Sequence, residues 1–138
     1  MNGWGTVVDL KAGSRVGPEV KLSRCGSARV RLLNAKGRPL AGGWPRLVLL
    51  TERSFAADKP PLERAADGHL SVCYDPRHYP TDPVSDGEGL LTLPALIPGA
   101  RYVLEYADAK GVLRHTPEFR VEPGEQLLLP DLAVRDRQ

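Results

Sequence analysis

The run Ser27-Ala28-Arg29-Val30-Arg31-Leu32-Leu33-Asn34-Ala35-Lys36-Gly37 carries the plainest structural signal in this chain. Ala28, Val30 and Leu32 recur at every second position, with Arg29 and Arg31 between them. A period of two puts the apolar residues on one face of an extended strand and the arginines on the other. Asn34-Ala35-Lys36-Gly37 then reads as a turn. Glycine takes a positive φ cheaply, and asparagine hydrogen-bonds the backbone just ahead of it.

The same alternation and punctuation recur on both sides of this run. Thr6-Val7-Val8-Asp9-Leu10 predicts a first strand, and Glu19-Val20-Lys21-Leu22 a second. Trp44 to Thr51 predicts a strand whose Leu47-Val48-Leu49-Leu50 centre is apolar on both faces, with Trp44 in the core. Glu52 to Asp67 is charged and contains Pro60-Pro61, so it reads as a long loop, the kind of segment that carries function on a β scaffold. His69 to Tyr74 returns to strand character, and Asp75 to Pro83 is a proline-rich connector. Asp86-Gly87-Glu88-Gly89 signals a hairpin turn into Leu90-Leu91-Thr92-Leu93. Ile97-Pro98-Gly99-Ala100 turns into Arg101–Ala107, where Tyr102, Leu104 and Tyr106 share one face. Asp108-Ala109-Lys110-Gly111 turns into Val112-Leu113, Glu118 to Glu122 alternates, and Gln126 to Val134 closes the chain.

Short strands with turn signals roughly every eight to twelve residues predict an all-β antiparallel sandwich of about seven to nine strands. The predicted core is Val30, Leu32, Leu47, Leu49, Leu91, Leu93, Tyr102, Leu104, Phe119, Val121, Leu127 and Leu129. Residues 1–25 read as an N-terminal strand or linker, the end of a preceding module, and 26–138 as the sandwich domain.

Composition excludes several classes. The 138 residues suit one domain with its own core. The 14 glycines and 13 prolines leave few stretches long enough for extended helices. Net charge is +2, and acidic and basic residues are interspersed, unlike the basic stripe of a nucleic-acid binder. No apolar run approaches the roughly 18–20 residues of a membrane span. Met1-Asn2-Gly3-Trp4-Gly5 lacks the basic and apolar regions of a signal peptide. The expectation is therefore a cytoplasmic chain or a piece of a longer exported one. The two cysteines, Cys25 and Cys73, are too few for a zinc site. Isolated cysteines on strands are most often small buried hydrophobes, and whether these two are bridged is left open.

Three stretches together carry a family resemblance: Val30 to Gly42 (VRLLNAKGRPLAG), Ser85 to Pro94 (SDGEGLLTLP) and Ile97 to Tyr102 (IPGARY). The chain from about Gly26 to Val134 resembles the carboxypeptidase regulatory-like domain family, with Asn34 in place of the usual aspartate. Phe119 to Leu132 looks like the closing strands of versions arrayed in bacterial, planctomycete-type envelope proteins. The resemblance implies a prealbumin-like (transthyretin-like) sandwich, a non-catalytic module of a larger protein, and a cell-envelope or extracellular location. Neighbouring domains would be its partners.

Other chemistries fit these residues less well. Transthyretin-like hydrolases of a purine breakdown product use a C-terminal tyrosine-arginine-glycine-serine motif, and this chain ends Ala133-Val134-Arg135-Asp136-Arg137-Gln138. His69, His78 and His115 lie on separate segments without metal-ligand spacing. Lys21 or Lys36 with Asp131 and Glu105 are the candidates for a spontaneous isopeptide bond; Asp82, Asp86 and Glu88 are those for calcium. Solvated side chains and a charged turn are the ordinary readings of both sets. A carbohydrate-binding module is the alternative function, with polysaccharide as partner and exposed aromatic rings as its requirement. Trp4, Trp44 and Tyr79 are its candidates. Arg77, His78 and Tyr79, set between prolines, form the expected contact patch. No catalytic residue, metal or cofactor is assigned, and an enzyme of unknown type stands last among the alternatives.

Overall fold

Leu32, Leu91 and Leu104, from three different strands, are almost wholly excluded from solvent and share one hydrophobic cluster. The computed structural model describes residues 3–6, 21–50, 69–71 (backbone only) and 83–136. Among them lie ten strands: β1 (Trp4–Gly5), β2 (Ser23–Arg24), β3 (Gly26–Leu33), β4 (Arg46–Leu50), β5 (His69–Ser71), β6 (Leu90–Leu96), β7 (Tyr102–Ala107), β8 (Leu113–His115), β9 (Gln126–Leu128) and β10 (Leu132–Ala133). Three of these have only two residues. No helix occurs among the described residues, and none is therefore long and apolar enough to cross a membrane.

The chain is an all-β sandwich. In the first sheet β3 is central, with β6 antiparallel on one side and β9 and β10 in succession on the other. The second sheet has the order β5-β4-β7-β8, antiparallel throughout. A short β1–β2 ribbon stands at the entry to β3. Ala28, Val30 and Leu32 of β3 and Leu91, Leu93 and Leu96 of β6 face Leu47 of β4 and Tyr102 and Leu104 of β7 across one core. Of the residues assigned to the core by alternation, Leu49, Leu127 and Leu129 are partly buried against it and the rest are buried.

Pairing departs from the purely antiparallel expectation. β9 and β10 run parallel to β3, because the closing segment starts where β3 starts and ends where it ends. The Gly124 N–H donates to Arg24 O at one end (3.2 Å), and the Val134 N–H to Leu33 O at the other (2.9 Å). Glu118–Glu122 is not a strand. It makes one bridge, Tyr102 with Phe119. Pro117 and Pro123 flank it, and neither has an N–H to extend a ladder. Phe119 and Val121 are still buried, and the Phe119 ring stacks on Tyr102 with centroids 5.9 Å apart. Tyr102 Oη accepts the Ile97 N–H at 3.0 Å, which holds the Pro98–Gly99 turn against the core.

β6 runs past the expected end at Leu93. Between Gly26↔Leu96 and Ala28↔Leu93 it carries one extra residue, a bulge, and Ala95 takes a positive φ of 54°. The bulge resets the alternation, so Leu93 and Leu96, three apart, both reach the core. At the N-terminus a two-residue strand occurs at Trp4–Gly5, and of the strand expected at Thr6–Leu10 residues 7–10 lie outside the described residues. Of the strand expected at Glu19–Leu22, residues 19 and 20 lie outside the described residues, Lys21 and Leu22 are not in a strand, and β2 follows at Ser23–Arg24. The Glu52–Asp67 loop and most of the Asp75–Pro83 connector also lie outside the described residues.

One turn is built three times. Asn34, Asp86 and Asp108 each accept two backbone N–H groups through Oδ1, from the residues two and four ahead, at 2.9–3.0 Å. Three residues after each stands a glycine with positive φ: Gly37 (72°), Gly89 (76°) and Gly111 (80°). This is the three-residue hairpin loop, a type I turn closed by a left-handed glycine.

Two predictions follow from the packing. Leu104→Ala is expected to cost about 2–5 kcal/mol by denaturant melting, as for other core leucines; a loss well under 1 kcal/mol would contradict the register. Alanine at Gly37 has open space around it and should cost about 1–2 kcal/mol for its left-handed backbone alone. At Gly89 the same Cβ would sit 2.5 Å from Leu32 O, so Gly89→Ala should cost about 1–3 kcal/mol more. Equal losses at the two sites would show that the close approach is relieved without penalty.

Candidate functional site: the groove at the three-turn end

All three Asx turns gather at the end of the sandwich where β3 finishes. The Asn34 turn leaves β3, the Asp86 turn enters β6 opposite Arg31, and the Asp108 turn joins β7 to β8 beside the C-terminal residues. A Cβ at Gly111 would meet Arg135 Nη1 at 3.0 Å, and the Arg135 N–H donates to Ala107 O at 2.8 Å, tying the C-terminal segment to the second sheet. Between the 40–46 segment, the end of β7 and residues 134–136 runs a groove of about 950 Å³.

Trp44 stands in this groove and is 46% exposed, contrary to the expectation that it joins the core. Trp44 lies just ahead of β4, outside the ladder that turns Leu47 and Leu49 inward. The backbone beneath the indole is tightly held. Gly42 has a φ of +71°, and any Cβ on Gly43 would lie 2.7 Å from Leu32 Cδ1. Buried Ser85 stitches this segment: its Oγ accepts the Gly43 N–H at 2.9 Å and donates to Leu40 O. Its backbone also pairs with Gly42 and Gly43.

Beside Trp44 a charged row crosses the outer face of the second sheet. Arg46, Glu105 and His115 stand opposite one another on β4, β7 and β8. Arg46 Nη2 lies 2.6 Å from Glu105 Oε1, and His115 Nε2 lies 3.1 Å from Glu105 Oε2. The histidine side chain is 10% exposed and neither ring nitrogen makes a directed hydrogen bond, so the contact with Glu105 is one of proximity and not of alignment.

The structure brings together few of the residues singled out in the sequence. Arg77, His78 and Tyr79 lie outside the described residues, as do Cys73 and Asp82. Trp4 is 68% exposed but pairs with Arg24 at the opposite end of β3, so it shares no platform with Trp44. Glu105 is engaged with Arg46 and His115, while Asp131 is exposed in the break between β9 and β10; the isopeptide set is dispersed. The Asp86 carboxylate closes its own turn, leaving Glu88 exposed beside it. Cys25 is a buried free thiol, and burial pushes its pKa up. Sequence reasoning gave no site role to Ser85, Arg46, Arg135 or Asp136. Only strand pairing sets Glu105 opposite Arg46.

These residues define the class as an all-β module with an open, mixed-polarity groove at one end. No family model matches the chain, and no curated protein matches it. A solved structure from Pseudomonas aeruginosa, described as a candidate carbohydrate binding protein, is similar at 18% identity with a TM-score of 0.35, covering 78% of this chain and 89% of that one. At that TM-score the two chains need not share a fold.

Asp108 supplies a pH-dependent contact at the groove. Its Oδ2 lies 3.0 Å from Arg114 Nε; that hydrogen bond, with the N–H groups of Val112 and Lys110, lowers its pKa. A lowered folded-state value means that its contribution is complete above the unfolded value of about 3.9 and is lost as pH falls below that. Asp108→Asn keeps the turn's acceptor and loses the charge. Its melting temperature should fall less steeply than the wild type's below about pH 4. Parallel acid limbs for the two proteins would show that the Arg114 contact contributes nothing.

Proposed function

We propose that this domain is a non-catalytic spacer and protein-interaction module of a larger bacterial protein, of the carboxypeptidase regulatory-like type. The placement of entry and exit carries this reading. Trp4–Gly5 pairs beside the start of β3, and Val134–Arg135 leaves beside its end. The eight residues of β3 span about 26 Å at the usual strand rise. Chain entering at one end and leaving at the other suits modules strung in series, each adding its long axis. Its partners are then the adjoining domains, and the turn motifs quoted above support the family and its cell-envelope or extracellular setting.

Carbohydrate binding is the second reading. The specific observation favouring it is the half-exposed indole of Trp44 in an open groove, since sugar faces stack on exposed aromatic rings.

A head-to-tail fusion of two copies, measured by small-angle X-ray scattering, tests the first reading. The maximum dimension should come close to twice that of one copy. Two copies folded side by side, with a dimension little above that of one, would overturn it.

A further inference from the structure

We propose that the groove at the three-turn end binds a neutral polysaccharide chain, with Trp44 as its stacking platform and the flanking charges as its hydroxyl contacts. This deepens the second reading above and rests on it.

Three features of the groove point to that ligand. The first is the platform. Trp44 is nearly half exposed and lines a concave surface, and an indole is the kind of flat apolar group against which the C–H groups of a sugar ring stack. The second is its rigidity. Ser85 grips Gly42 and Gly43 with backbone bonds of 2.8 and 2.9 Å and with its hydroxyl, and Pro45 fixes the other side of Trp44. A surface already held in its binding shape loses little entropy when a ligand arrives.

The third feature is charge. Arg46 and Arg135 are balanced by Glu105 and Asp136, all lining the same groove. Two cations and two anions give no net attraction to a charged chain. A polyanion would meet both carboxylates and a polycation both guanidinium groups. A sugar hydroxyl both donates and accepts, so it can satisfy a carboxylate and a guanidinium side by side. An apolar peptide would instead have to strip water from four charged groups. The groove's volume of about 950 Å³ falls within the range of ligand sites.

The chain has two tryptophans, so Trp4→Phe leaves Trp44 as the sole indole reporter. This variant would be titrated with cellohexaose, laminarihexaose, mannohexaose and xylohexaose, with polygalacturonate and chitosan oligomers as charged controls. At least one neutral hexasaccharide should change the Trp44 emission and bind measurably by calorimetry. Trp44→Ala in the wild-type chain should weaken that binding by about tenfold or more. Trp44→Phe, which keeps a ring, should retain most of it, and both should melt near the wild-type temperature. Binding undiminished in Trp44→Ala would overturn this site while leaving carbohydrate recognition standing. Tighter binding of polygalacturonate or chitosan would overturn the neutral-ligand assignment. Failure of every saccharide to bind would overturn the carbohydrate reading and this inference together.

Discussion

β3 is hydrogen-bonded along both edges, and the other elements of the first sheet take their positions from it. β6 occupies one edge from Gly26 to Arg31, and the closing segment occupies the other, first as β9 and then as β10. A strand paired on both sides must bury one face and present the other. Here Ala28, Val30 and Leu32 go inward while Arg29 and Arg31 stay exposed. Because β9 and β10 follow β3 in parallel, the last described residues are carried the length of the sandwich. They end beside the turns that follow β3, lead into β6 and follow β7. The groove exists because those segments converge there.

The repeated Asx turn sets the geometry of that end. Each copy uses one side-chain oxygen and one left-handed glycine to satisfy a reversal that would otherwise leave backbone donors unpaired. Asp86, a candidate calcium ligand by sequence, is thus occupied in closing its own turn. The charges left to face the groove come instead from strand positions and from the C-terminal segment. Ser85 adds a further constraint of the same kind. As the one buried polar residue among those described, it joins the segment under Trp44 to the entrance of the Asp86 turn.

A rigid frame with opposite entry and exit and an open groove at one end serves both proposed roles without conflict. A module in series needs its termini apart and its turns stiff. A recognition surface needs a platform that does not collapse when empty. Trp44 meets the second need because Ser85 holds the backbone of Gly42 and Gly43 just ahead of it. Close packing at Gly89 protects the first.

Much of the fold was legible in the residues themselves. The alternation of Val30 and Leu32, of Leu91 and Leu93, and of Tyr102 and Leu104 determined which side chains would be buried, because period two is a local property of an extended chain. Asn34, Asp86 and Asp108, each with a glycine three places on, determined where the chain reverses, because a left-handed position needs glycine wherever it falls. Three features were decided only by tertiary structure. The parallel course of β9 and β10 depends on which end of β3 the Gly124 turn meets, a distance no local pattern records. The bulge at Ala95 follows from fitting β6 to Gly26, whose missing side chain lets Val121 pack close. The groove itself brings Trp44, Arg46, Glu105 and Arg135 together from three separated segments, and such a gathering has no trace in sequence spacing, since only the pairing of strands makes distant residues neighbours.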